Sequence, residues 1–290
     1  MLSVIITTKN GEKYIARAIS SALQQSIAIA NKQDPLQYSG FEIVVVSDGS
    51  TDSTVSIVTS LSEKDSRIRL IDLKKNIGPG LARNLAVLGG KIEHDTEDDI
   101  EDKDMPVIPP ITNSFVAILD DDDLWKDPKK LENQISFLTE NPNVVVTGAV
   151  KTEFTRENGE HLRWITNETD SHKIRTNMLS YNPVITSSVV FRTSTFKEIG
   201  GFKAMYLAED YDLWLRMGLH GDISNVEGAD TIYTIREGGA SKSRQIEMAQ
   251  VVIRLAKEYR HQYPHFYKAY IKGILRLVLI HWKLLKKKFI

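Results

Sequence analysis

The sequence predicts an α/β fold: a Rossmann-like, mostly parallel sheet flanked by helices, followed by a helical C-terminal extension. Three observations carry this. Short apolar runs rich in β-branched residues recur through about the first 120 residues. Each is followed by a stretch whose apolar residues repeat at helical spacing. Each early run also ends in a polar cluster. Continuous apolar strands alternating with amphipathic helices indicate a parallel sheet covered on both faces. In such sheets ligands bind beyond the carboxyl ends of the strands.

The elements follow in order. Leu2 to Thr7 reads as a buried strand, broken by Asn10-Gly11. Glu12 to Gln25 has apolar Ile15, Ala18, Ile19, Ala22 and Leu23 at helical period. Phe41 to Val46 is a second strand, stopped by Asp48-Gly49, with a helix from Asp52 to Leu61. Ile68 to Ile71 is a third strand, Gly80 to Leu88 a helix, and Phe115 to Leu119 a fourth strand. Further on, a helix is expected over Pro128 to Thr139, its proline near the start where the missing N–H costs little. Strands are expected over Asn143 to Thr152, Val184 to Phe191 and Ile232 to Ile235, with a hairpin turn at Glu157-Asn158-Gly159-Glu160. Helices are expected up to Ile199, over Glu209 to Leu219, Ser243 to Tyr263, and Pro264 to about Lys288. No repeat or Pro/Gly-rich linker divides the chain, so it reads as one domain over 1–240 with a helical extension over 241–290.

Composition sets the outer bounds. The 290 residues are 41% hydrophobic and 26% charged, as in folded soluble domains. A net charge of -1 gives no global attraction to nucleic acid. The absence of cysteine excludes disulfides, thiolate nucleophiles and Cys-ligated zinc, and fits a reducing, cytoplasmic setting. The opening strand lacks the basic start of a signal peptide, and Gly273 to Trp282 is too short to span a membrane. Charge is nonetheless uneven. Lys91 to Asp104 holds eight acidic residues, and Pro264 to Ile290 holds seven Lys/Arg with no Asp/Glu.

Four places hold candidate chemistry. Asp120-Asp121-Asp122-Asp123 follows a buried strand; it is either an acidic turn or a site where a divalent cation relieves carboxylate repulsion and bridges to phosphates. Asp48 either sits in a glycine turn before a capped helix or accepts hydrogen bonds from a base or ribose. Arg83, beyond Gly78-Pro79-Gly80, is either a solvated helix residue or a phosphate ligand. Glu209-Asp210 either complements a helix dipole or supplies a general base. No His cluster has metal-ligand spacing, and no Walker, Gly-x-Ser-x-Gly or dinucleotide fingerprint occurs.

Taken in order, these segments resemble glycosyltransferase family 2, inverting nucleotide-sugar transferases of the GT-A fold. The matching pieces are Leu2 to Asn10, Glu42 to Asp52, Asn76 to Asn84, Phe115 to Trp125 and Ala208 to Arg216, with Ser187 to Arg192 and Ile199 to Phe202 between the last two. The resemblance covers roughly 2–240. It implies that Asp48 contacts a uracil base with Thr7 and Lys9 lining its pocket, and that Arg83 approaches the nucleotide. It also implies that Asp120 and Asp121 face ribose and metal, that Asp122 ligates the metal, and that Asp210 is the catalytic base. A nucleotide-sugar donor, a glycan or lipid-linked acceptor and Mn²⁺ or Mg²⁺ follow as expected partners.

Some features depart from the family. Thr7 and Lys9 replace its usual Pro and Tyr, and Gly90 to Asn113 is longer and more acidic than its link, reading as a mobile surface loop. Glu160-x-x-Arg163-Trp164 approximates the Gln-x-x-Arg-Trp of processive members, but it precedes Asp210 and starts with Glu. It is taken as coincidence, so sugars would be added singly. Two other classes compete: a nucleotidyltransferase, disfavoured by the single Lys and Gly of Thr7 to Gly11, and an inactive carbohydrate-binding relative, disfavoured by the joint presence of Asp48, Asp122 and Asp210. The last helix has two readings. Either it lies at the inner face of a membrane with its lysines on anionic headgroups, or it packs on the domain or on a second subunit as in a homodimer.

Overall fold

The computed structural model describes residues 2–27, 40–90, 107–205, 207–236 and 244–288. Its first half follows the expected order: β1 (Leu2–Thr8), α1 (Ile15–Leu23), β2 (Phe41–Asp48), α2 (Thr54–Ser62), β3 (Ile68–Leu73), α3 (Pro79–Leu88) and β4 (Phe115–Asp120). Strand β1 lies between β2 and β4, parallel to both, and β2 pairs in parallel with β3. The register sets Thr7 opposite Val46 on one side and Asp120 on the other. The polar strand ends therefore share one edge, as the sequence pattern requires.

Alternation along these strands builds two cores. Val4, Ile6, Ile43, Val45, Ala117 and Leu119 face α1 and α2, packing on Ile15, Ile19 and Val58. Ile5, Val44, Val46, Val116 and Ile118 face the opposite way, onto Ala82, Leu85 and Ala86 of α3. Each fully buried aliphatic side chain contributes roughly 1.5–3 kcal/mol, so both faces need a helical cover.

The second half comprises β5 (Leu124–Trp125), α4 (Lys130–Glu140), β6 (Val144–Ala149), β7 (Lys151–Arg156), β8 (His161–Thr166) and α5 (Ser171–Asn177). A 3-10 turn (Thr186–Ser188), β9 (Val190–Arg192), α6 (Thr193–Glu198), α7 (Glu209–Met217), β10 (Asp222–Val226) and β11 (Thr231–Ile235) follow, then α8 (Gln245–Glu258) and α9 (Phe266–Lys288). The main sheet has seven strands in the order β10-β6-β9-β4-β1-β2-β3, with β9 antiparallel to its neighbours. A second sheet of four strands runs β5-β11-β7-β8. The expected hairpin turn joins antiparallel β7 and β8.

Two expected strands are corrected. Asn143 to Thr152 is two strands in two sheets: Ala149 still pairs with Val226, whereas Lys151 pairs with Thr166. Gly148 is the one breaker in the run through Val150, and it lies inside β6 rather than at the switch, so the sequence hides it. Val184 to Phe191 is extended only at its end. Its centre is the 3-10 turn, where Ser188 donates its backbone N–H and its hydroxyl to the Ile185 carbonyl at 2.8 and 2.7 Å. The acidic stretch 91–106 lies outside the described residues.

The C-terminal helices are tied to the core. Leu255 and Ala256 of α8 are buried in it. Tyr259 donates to Asp212 Oδ1 at 3.0 Å and Tyr263 to the Leu215 carbonyl at 2.7 Å. Among the described residues no helix is long and apolar enough to cross a membrane.

Candidate active site

The carboxyl edge of the sheet collects the sequence candidates. Asp48 ends β2 and is buried at 3% exposure. It accepts hydrogen bonds from the Ile77 and Gly78 amides at 2.7 and 2.9 Å and from Asn76 Nδ2 at 2.6 Å. It thereby pins the loop before α3. Burial pushes its carboxyl above the ordinary value, and the two amide bonds and the charge of Lys9 pull it back. Gly49 is required beside it: with φ +70°, a Cβ there would approach the Asn76 amide nitrogen to 2.8 Å. Thr7 is buried within β1, and Lys9 is exposed just past the strand end.

The pinned loop starts α3 at Pro79 and carries Arg83 inward to 5% exposure. Its Nη2 donates to Asp120 Oδ1 at 2.7 Å, Glu209 Oε1 lies 3.6 Å from Nη1, and the guanidinium covers the Phe202 ring at 5.4 Å. Neither Nε nor Nη1 makes a hydrogen bond among the described residues. Asn84, next in the helix, exchanges two 2.8 Å bonds with the backbone of Phe202. That clamp explains why the Ile199-Gly200-Gly201-Phe202 turn sits against α3.

The four aspartates diverge. Asp120 faces Arg83. Asp121 is buried and accepts from Thr8 Oγ1 at 2.6 Å and from Arg236 Nη2. Asp122 pairs with Arg236 Nε. Asp123, 1% exposed, accepts from Ser187 Oγ at 2.5 Å and from the Thr234 amide at 2.7 Å. Burial pushes the Asp122 carboxyl up to about 7, against the pull of Arg236 and helped by the charges of Asp120 and Asp121. Burial and the neighbouring aspartates also push Asp123 well up. Arg236 stacks on Tyr14, its guanidinium carbon 4.4 Å from the ring centroid. Gly11 leaves room for this cluster, since a Cβ there would collide with Asp121 Oδ2 and Thr8 Oγ1.

Asp210 stands in the first turn of α7. Its Oδ2 accepts from Asn182 Nδ2 at 2.9 Å and from Thr186 Oγ1 at 2.8 Å. Burial and the charge of Asp210 push the adjacent Glu209 up to about 7, while Arg83 pulls it down. The 3-10 turn joins the two carboxylate groups: Thr186 holds Asp210, while Ser187 holds Asp123 and accepts the Asp120 amide at 3.1 Å. Thr8, Asn76, Thr186, Asn182 and Arg236 were not singled out from sequence. Thr8 and Asn76 lie inside segments that the sequence pattern marks, whereas nothing in the local pattern sets Arg236 apart from an ordinary arginine after a short apolar strand.

No group of three or more His, Asp or Glu side chains converges as a preformed metal cage among the described residues. Within the aspartate run, Asp120 and Asp122 keep more side-chain exposure, 30% and 17%, than Asp121 at 10%.

The chain matches known proteins. Residues 3–88 fit the model of glycosyl transferase family 2, and residues 115–280 fit that of glycosyl transferase family group 2. The chain belongs to glycosyl transferase family group 2. This glycosyltransferase is 27% identical over 242 residues to the amylovoran biosynthesis glycosyltransferase AmsE of Erwinia amylovora, covering 82% of the chain and 77% of AmsE. It is 25% identical to an uncharacterized glycosyltransferase of Haemophilus influenzae, covering 89% of the chain and 72% of that relative. Two solved structures share the fold. S. aureus TarS 1–349 in complex with UDP-GlcNAc has a TM-score of 0.60 at 22% identity, covering 90% of this chain and 66% of that one. The mannosyltransferase PcManGT of Pyrobaculum calidifontis, in complex with GDP-Man and Mn²⁺, has a TM-score of 0.63 at 17% identity, covering 95% and 69%. Membership in this family removes the nucleotidyltransferase alternative.

Proposed function

We propose that residues 1–240 transfer one hexosyl group at a time from a UDP-sugar to a hydroxyl of a glycan or lipid-linked acceptor, inverting the anomeric carbon, with 241–290 as a helical extension. The observation that carries this reading is Arg83. Its Nε and Nη1 are buried donors without a hydrogen bond among the described residues, set between Asp120 and Glu209. A diphosphate supplies the missing acceptor oxygens. The likeness to TarS bound to UDP-GlcNAc favours uridine, and AmsE, named for amylovoran biosynthesis, favours a polysaccharide acceptor.

Thr7 and Lys9 line the base pocket beside Asp48, and Asp121 and Asp120 lie toward the ribose. A divalent cation, Mn²⁺ or Mg²⁺, fits the donor set, which is hard carboxylate oxygen with more negative charge than Arg83 and Arg236 offset. Asp120 and Asp122 would hold it, Asp122 giving up Arg236. Such an ion neutralises charge on a leaving diphosphate. Asp210, its Oδ2 fixed by Asn182 and Thr186, takes the acceptor proton on Oδ1. The freed oxygen bonds to the anomeric carbon as the bond to diphosphate breaks on the opposite side.

The test is Asp122→Ala. It should stay folded, lose most transfer and lose Mn²⁺-dependent UDP binding measured by calorimetry. Wild-type rates in this variant, or wild-type protein indifferent to EDTA, would overturn the cation assignment. Arg83 and Asp210 would then be judged on their own variants.

A further inference from the structure

Helix α9 has more apolar surface than its packing uses. At 3.6 residues per turn, Ala269 and Gly273 lie on one side. Ala269 is buried, and a Cβ on Gly273 would sit 2.7 Å from Ile253 Cγ1 of α8, so this side is pressed against α8. About half a turn away, Ile271, Leu275 and Val278 are each 58% exposed and Leu279 is 55% exposed. The two readings left by the sequence are thus separated in space: the helix packs on the domain with one side and presents a second apolar side outward.

Charge specifies what covers that second side. Lys268, Lys272, Arg276 and Lys283 flank it along one border, and none has a carboxylate partner among the described residues. The sequence adds Lys286, Lys287 and Lys288, and residues 264–290 contain no acid. A second copy seated face to face would bring two such basic borders together with nothing in either helix to neutralise them. An anionic lipid surface offers apolar depth for the leucine and valine side chains and negative charge at headgroup level beside it. The helix contains 23 residues, and its basic border lets it lie flat rather than cross.

We infer that α9 is an interfacial anchor that docks the enzyme on an anionic bilayer through Ile271, Leu275, Val278 and Leu279, with the lysine border on the headgroups. The inference is independent of the donor-site reading, because its test measures binding and not transfer. Full-length protein is sedimented with vesicles of phosphatidylcholine alone or of phosphatidylcholine with phosphatidylglycerol. Wild type should bind the anionic vesicles at low ionic strength and release as salt rises. Lys272→Gln with Arg276→Gln should weaken this about 25-fold, since each basic residue near the surface contributes roughly five-fold, or 1 kcal/mol. Leu275→Glu with Val278→Glu should abolish it. All four positions are exposed, so circular dichroism and melting should match wild type. The inference fails if wild type ignores anionic vesicles, or if either double variant binds them equally. It also fails if light scattering shows a wild-type dimer that Leu275→Glu with Val278→Glu converts to monomer, which would make a second copy the occupant.

Discussion

The proposed reaction gives Arg83 and Asp210 different tasks, and single substitutions separate them. Arg83 is fixed by Asp120, Glu209 and the Phe202 ring, yet its Nε and Nη1 make no hydrogen bond among the described residues. Arg83→Lys keeps the charge and removes the planar fork. Losing a charge-assisted hydrogen bond costs about 1.5–3 kcal/mol, so UDP affinity by calorimetry should fall about 10- to 100-fold. Unchanged affinity would place the diphosphate elsewhere. Asp210→Asn keeps the shape, and its one side-chain oxygen can still accept from Asn182 and Thr186, but it cannot take a proton at neutral pH. Transfer should drop about 10²- to 10⁴-fold with UDP-sugar affinity near wild type. A turnover number that does not move under saturating acceptor would transfer the role to Glu209, the adjacent carboxylate that burial holds near 7.

At the scale of elements, the 3-10 turn Thr186–Ser188 links Asp210 of α7 to the aspartate run after β4, the proposed base and donor sides. Thr186 is spent on Asp210, Ser187 on Asp123 and the Asp120 amide, and Ser188 on the Ile185 carbonyl and the Ala149 amide, while the Ser188 carbonyl accepts from Gln134 Nε2 at 2.9 Å and from the buried Lys130 at 3.1 Å. Ser187→Ala leaves the fully enclosed Asp123 with one partner and strands the Asp120 amide. It should lower stability in urea by about 1–3 kcal/mol and reduce transfer beyond what the stability loss explains. A variant as stable and active as wild type would show that the turn is held by its backbone alone. This element also marks the limit of sequence reading. The strands β1, β2 and β4 and their polar ends were legible because period and breakers agree there. The turn was read as strand because Val184, Ile185, Val189 and Val190 bracket it, and only buried partners from four other elements make a helical turn preferable. The switch from β6 to β7 was hidden for a similar reason. Candidate residues on strand ends were found by position. Arg236 and Asn182 meet the site only through the fold, so local pattern could not indicate them.

The whole molecule carries an excess of buried negative charge at one edge of its sheet. Asp48, Asp121, Asp122, Asp123 and Glu209 are all pushed upward, with burial the largest cause in each, and Asp122 and Glu209 reach about 7. The sign of the consequence follows from linkage. An acid whose folded value lies above its unfolded value near 4 binds more protons folded than unfolded between those values. For Asp122 and Glu209 this stability is fully present below about pH 4 and is lost as pH rises through about 7. Without added metal, stability should fall from pH 5 to pH 8 by an amount on the order of 3 kcal/mol, lowering the melting temperature by roughly 5–10 °C for a chain of this size. Arg236 offsets part of the excess, so Arg236→Met should steepen the fall. Mn²⁺ at about 100 times its dissociation constant should restore about 2.7 kcal/mol at pH 8 and much less at pH 5, where protons already occupy the carboxylates. A melting profile that is flat or rises across this window would mean that Arg83 and Arg236 balance the edge unaided. A falling profile that Mn²⁺ leaves untouched at pH 8 would assign the relief of that charge to protons alone and remove the cation from the proposed reaction.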